Sequence, residues 1–151
     1  MVELTQTEYL PTLMQWREEV IINVFGVTPD SALLDANLAY YTRHIADKSH
    51  IAFVAECDGK KCGCGGICFT DELPSPDNPS GRCAYLMNIY VREPFRHKGI
   101  AHNIVRHLLA EAKNRGCGKI YLETTADGKP VYSSLGFMDM PDMMKYYDKD
   151  N

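Results

Sequence analysis

The sequence has no apolar run long enough to cross a bilayer. Its densest stretch, Val20-Ile21-Ile22, stops at Asn23, against the roughly 20 residues a spanning helix needs. The first residues, Met1-Val2-Glu3-Leu4-Thr5, lack the basic-then-apolar profile of a secretory leader. These two absences predict a cytoplasmic protein with no membrane partner. A basic surplus is lacking too: 16 Lys and Arg stand against 20 Asp and Glu, for a formal charge of −4. Nucleic acid is therefore not expected as a partner, because phosphate backbones select a cationic face. Two nucleotide-loop signatures are missing. Nothing fits G-x-x-x-x-G-K-[ST], and Gly63-Cys64-Gly65-Gly66 does not extend to G-x-G-x-x-G because Cys68 stands where the last glycine should. Repeats and low-complexity tracts are absent as well.

What is present fits a packed globular chain. With 151 residues, 45% hydrophobic and 24% charged, the sequence predicts one folded domain spanning residues 1–151. The six cysteines are expected as free thiols in a reducing compartment. Cys62, Cys64 and Cys68 have even spacing and would share one face of a strand. Their glycine-spaced, apolar setting favours small buried hydrophobes over metal ligands, so no metal is expected.

Local patterns predict a series of elements. Thr5-Gln6-Thr7-Glu8 has capping-box spacing ahead of a helix through Leu13, Trp16, Val20 and Val24, with Pro11 in its first turn. Thr28-Pro29-Asp30 opens a second helix with Leu34, Leu38, Tyr41 and Ile45 on one stripe. Strands are expected over Ile51–Cys57 and Lys61–Thr70, joined by an Asp58-Gly59 hairpin turn. Leu73 to Gly81 reads as a loop, and Cys83–Val91 as a strand buried on both faces. An amphipathic helix over Lys98–Arg115 follows, its stripe formed by Ile100, Ala101, Ile104, Val105, Leu108, Leu109 and Ala112. A strand over Lys119–Thr124, a short helix over Pro130–Leu135 and a final strand over Phe137–Tyr147 complete the series. This order predicts an α+β fold: a mixed central sheet flanked by helices, with a βαβ unit whose strands run parallel. His97, His102 and His107 recur every five residues, a rotation of about 140° per step, so they do not share a face for metal binding. His102 and His107 are expected in solvent.

Val91 to Ala101 joins the buried strand to the amphipathic helix. Amides at a helix start have no intrahelical acceptor, and the helix dipole concentrates positive charge there. Gly99 lacks a Cβ and lets a phosphate approach the backbone, Ala101 is small, and Arg96 and Lys98 add charge. Read alone, this is either an anion site or an ordinary tight strand-to-helix turn.

Two motifs in order sharpen the choice. Arg96-His97-Lys98-Gly99-Ile100-Ala101 fits [QR]-x-x-G-x-[GA], and Tyr132-Ser133-Ser134-Leu135-Gly136-Phe137 fits Y-x-x-L-G-F. Together with Asn88-Ile89-Tyr90-Val91 and Pro94-Phe95, they make the stretch from Tyr85 to Phe137 resemble the Gcn5-related N-acetyltransferase (GNAT) family. The resemblance implies a GNAT-like fold and an acyl-coenzyme A-dependent N-acyltransferase with acetyl-CoA as co-substrate. Cofactor binding would fall to Arg96, His97, Lys98, Gly99, Ile100 and Ala101, with the pantetheine arm along Ile89 and Val91. Tyr132 matches the tyrosine that contacts the cofactor and serves as general acid to the leaving thiolate. The acceptor implied is a primary amine of a small molecule or peptide, and homodimers are frequent in the family.

The general base does not carry over. Where some members place a glutamate early in the buried strand, this chain has Ala84-Tyr85-Leu86-Met87. Glu123, Glu19, or a water held by Asn88 or Tyr85 are the candidates. A reading from a different class, an acyl-CoA-binding sensor without turnover, is favoured by the missing glutamate and opposed by Tyr132.

Overall fold

The computed structural model describes residues 1–150. Its element order is β1 (Val2–Thr7), α1 (Leu10–Val24), α2 (Ser31–Ala46), β2 (His50–Cys57), β3 (Lys60–Asp71), β4 (Arg82–Val91), α3 (Ile100–Asn114), β5 (Lys119–Leu122) and α4 (Lys129–Ser134). The strands form one mixed sheet in the order β1-β2-β3-β4-β5. Neighbours are antiparallel from β1 to β4, and β4 pairs with β5 in parallel. A mixed sheet flanked by helices is the architecture the element order predicted.

Helix α3 covers one face. Ile100, Ile104, Val105, Leu108 and Ala112 meet Ile51, Phe53, Ala55, Ile67, Ala84 and Leu86 of the sheet, all buried. Each large side chain so buried contributes roughly 1.5–3 kcal/mol of transfer free energy, which makes this the principal core. Helices α1 and α2 cover the other face through two smaller clusters. One is Trp16, Val20, Cys64 and Tyr90; the other is Leu13, Tyr41 and Ala52. The β2–β3 hairpin turns at Asp58 and Gly59, whose φ of 52° and 77° are the paired left-handed values of a type I′ turn.

Four expectations need correction. Thr5-Gln6-Thr7 lies in β1, paired in register from Val2 opposite Cys57 to Thr7 opposite Ala52. Alternating half-burial of Val2 and Leu4 against the core outweighs the capping signature, and α1 starts after Tyr9, whose side chain makes no cap. Phe137–Tyr147 forms no strand. Pro141 interrupts the segment, Met138, Met144 and Tyr146 are exposed, and the outer edge of β5 stays unpaired. Cys62 does not share a face with Cys64. A register shift between Ala55 and Glu56 turns Cys62 toward the α3 core, whereas Cys64 packs beneath Trp16 of α1. His102 and His107 are half-buried rather than solvated, the His107 ring edge-on to Phe53 at 4.7 Å between centroids.

All six cysteines are free thiols. Among the described residues no group of three or more His, Cys, Asp or Glu could hold a metal ion, and no helix is long and apolar enough to cross a membrane.

Candidate active site

The site begins where β4 and β5 part. They pair from Cys83 opposite Lys119 to Leu86 opposite Leu122, and there β5 ends. β4 continues to Val91, held only by β3 on its other side. From Met87 to Val91 β4 therefore has no strand partner on the β5 side and borders a gap, with the Asn88 carbonyl accepting from Cys64 Sγ and the Val91 carbonyl from Arg96.

A bulge lies within this stretch. Cys64 pairs with Tyr90 and Gly66 with Met87, so Asn88 and Ile89 together oppose the single residue Gly65. Asn88 takes a left-handed φ of 56°, a conformation asparagine tolerates better than most residues. The extra residue shifts the alternation of side chains. Leu86 faces α3, yet Tyr90, four residues on, faces α1, and Ile89 and Val91 pack against the α3 core. Ile89 and Val91 thus commit their side chains to the interior and leave only main chain to a ligand.

The phosphate loop follows at once. A single 3-10 turn, Glu93–Phe95, leads to His97 and Gly99, both left-handed at φ 63° and 78°. The first α3 amide to find a backbone acceptor is that of Asn103, which donates to the Gly99 carbonyl at 3.1 Å. The amides of His97 to His102 make no such bond among the described residues. A Cβ added at Gly99 would meet nothing within 4 Å, so the space beside Gly99 is open. His97, Lys98 and Gly99 are exposed, whereas Ile100 is buried in the core. Arg96 donates through Nε to the Val91 carbonyl at 2.9 Å, tying the loop to the end of β4. Free amides, a left-handed glycine over open space and flanking cations fit a diphosphate.

Arg92 fixes the neighbouring wall. Its guanidinium binds Glu19 through both carboxylate oxygens at 2.9 Å, donates to the Lys61 carbonyl at 3.1 Å and covers the Trp16 ring at 4.3 Å. That pairing holds the Glu19 carboxyl below its ordinary range. Glu19 is thereby withdrawn as a general base: a carboxylate clamped in a two-point ion pair is a poor proton acceptor.

Glu123 is exposed and comes directly after β5, at the mouth of the gap. It lies beside Tyr85 of β4, whose phenol is pushed up to about 12, mainly by burial and then by the Glu123 charge. Tyr85 is also 5.1 Å from Tyr121, ring centre to ring centre, so two tyrosines and a carboxylate border the gap. Asn88 is engaged: its Oδ1 accepts from Arg17 at 2.9 Å.

Tyr132 sits on α4, its ring 5.9 Å from that of Phe137, and burial raises its phenol above the ordinary value. It is protonated at neutral pH. Glu123 and Tyr132 line a common concavity of about 980 Å³ with Leu122, Phe137 and the methionines of the tail. The phosphate loop does not line that space. Sequence reasoning missed the bulge at Asn88 and the reach of Arg17, because both depend on partners distant in the chain.

The comparisons agree with this geometry. The acetyltransferase (GNAT) family model matches residues 11–137. The uncharacterized N-acetyltransferase YjgM of Escherichia coli is 30% identical over 75% of this chain and 67% of its own length. Glucosamine 6-phosphate N-acetyltransferase 1 of rice is 28% identical, over 44% of this chain and only 41% of that protein. Among solved structures, a predicted acetyltransferase of Clostridium acetobutylicum with acetyl-CoA superposes with a TM-score of 0.87 at 26% identity, covering 97% of this chain and 96% of that one. A parted strand pair, an open amide cradle and a family match across most of the sequence lead to one assignment: the chain belongs to the acetyltransferase (GNAT) family.

Proposed function

We propose that residues 1–151 act as one cytoplasmic domain that moves the acetyl group of acetyl-CoA to a primary amine of a small molecule or peptide, by direct attack in a ternary complex. The observation that carries this reading is the open edge of β4 from Met87 to Val91, running straight into the unpaired amides of His97 to His102. The plant relative is named for a small amine, which supports an acceptor of modest size.

In this reading the amides of His97, Lys98, Gly99, Ile100 and Ala101 hold the diphosphate, and Arg96 and Lys98 add charge. The main chain of Ile89 and Val91 aligns the pantetheine arm in the gap. Acetyl-CoA supplies the activated thioester. The amine must be neutral to attack; for a lysine-like group this costs about 4 kcal/mol at pH 7.4. Glu123 takes that proton, directly or through a water held by Tyr85. Tyr132 donates a proton to the departing sulfur, and its raised phenol keeps that proton available at neutral pH.

The test pairs a calorimetric titration of acetyl-CoA with thiol release across a panel of amines. Binding together with amine-dependent thiol release is expected. Binding without release on any amine would favour the non-catalytic sensor, and no binding at all would remove the reading.

A further inference from the structure

Arg17 of α1 is half-buried, and its guanidinium joins three elements. Nε donates to Asn37 Oδ1 on α2 and Nη1 to Asn88 Oδ1 at the β4 bulge, each at 2.9 Å. Both acceptors are neutral amides. Arg17 enters no ion pair among the described residues, and Nη2 has no hydrogen-bond partner there. The nearby carboxylate of Glu19 is consumed by Arg92.

The other titratable groups around the guanidinium supply no negative charge at neutral pH. Burial pushes Tyr41 up to about 12 and His50 down to about 4, and it raises the Tyr40 phenol and the Cys64 thiol as well. A guanidinium keeps its charge under all these conditions. In a chain of net charge −4, one arginine is thus left with an uncompensated charge beside the gap. Phe25 lies against it, 5.6 Å from Cζ to ring centre. Asn88, which Arg17 holds, immediately precedes Ile89 on the open edge of β4.

We propose that Arg17 binds a carboxylate or phosphate monoester that the acceptor carries close to its amine, so that the acceptor class is a small anionic amine. This rests on the acetyl-transfer reading above. A two-point contact from guanidinium to either oxyanion suits the chemistry, and the two asparagines fix the side chain before the acceptor arrives.

The experiment measures kcat/KM for matched acceptors: an α-amino acid against its carboxamide, and a phosphorylated amino alcohol against the parent alcohol. At least one anionic member should exceed its neutral partner about tenfold, mainly through KM, and the pair that shows the difference identifies the anion. Arg17→Ala should erase the difference and Arg17→Lys restore part of it. Equal use of both members in each pair, or a preference that survives Arg17→Ala, overturns the proposal. If Arg17→Ala does not fold, the ratio in the unaltered protein decides. Acetyl-CoA binding with no turnover of any amine would instead defeat the acetyl-transfer reading, and this inference with it.

Discussion

A Cβ added at Gly63 in β3 would stand 2.5 Å from the Tyr90 carbonyl oxygen and 3.1 Å from Ile104. At Gly65 it would stand 2.8 Å from Ile104 and 3.1 Å from Leu108. At Gly99, by contrast, it would meet nothing within 4 Å. One region lies under the body of α3 and the other at its head, and they use the same residue for opposite reasons. In β3 the missing side chain lets the body of α3 settle onto the strand. At the head of α3 it leaves a left-handed turn with its amides uncovered. Packing explains the first pair; a left-handed φ of 78° explains the glycine at the second, with open space above it.

That contrast predicts which substitutions move function and which move stability. The largest effect is expected from Gly99→Glu, where added bulk and negative charge fall on the anion cradle. Acetyl-CoA affinity should drop by a hundredfold or more in a calorimetric titration, with the fold intact by circular dichroism. Unchanged affinity would break the comparison at its functional end. Tyr132→Phe comes next: turnover should fall about a hundredfold with acetyl-CoA affinity preserved, since only the proton donor is lost. Equal turnover of variant and parent would remove Tyr132 from the acid role.

Gly63→Ala tests the packing end. Its methyl would press on a main-chain oxygen that cannot rotate away, so a loss of about 2 kcal/mol is expected in urea unfolding. Affinity for acetyl-CoA should change far less than in Gly99→Glu; an equal loss of binding would merge the two regions into one. The smallest effect is expected at Glu19→Gln, about 1 kcal/mol at pH 7. Because Arg92 lowers the Glu19 carboxyl in the folded chain, its contribution is present above the ordinary carboxylate value and fades as pH falls through the folded one. Unfolding curves of variant and parent should therefore differ at pH 7 and draw together as the pH falls below the ordinary carboxylate range.

The β4–α3–β5 unit was readable in the sequence because each piece carries a local signature: a continuous apolar strand, a helix with one apolar face, a glycine between them. The Asp58-Gly59 turn was readable for the same reason. β1 was not, since its six residues carry Glu3 and a helix-like cap pattern, and only pairing with β2 makes them a strand. The tail erred in the other direction, reading as a strand but finding no partner. At the candidate site, the loop residues stand out through the motif resemblance, whereas the fate of Glu19 depends on an arginine 73 positions away. The same holds for Asn88, whose partner Arg17 is 71 positions distant.

The inserted residue in β4 acts as a half-step in the strand's phase. Ahead of it, even-numbered positions such as Ala84 and Leu86 look toward α3; behind it, odd-numbered Ile89 and Val91 do. Removing one residue between Met87 and Ile89 would therefore do more than shorten a strand. It would let the ladder with β3 close without interruption, leave Ile89 alone opposite Gly65, and dissolve the left-handed kink that Arg17 grips.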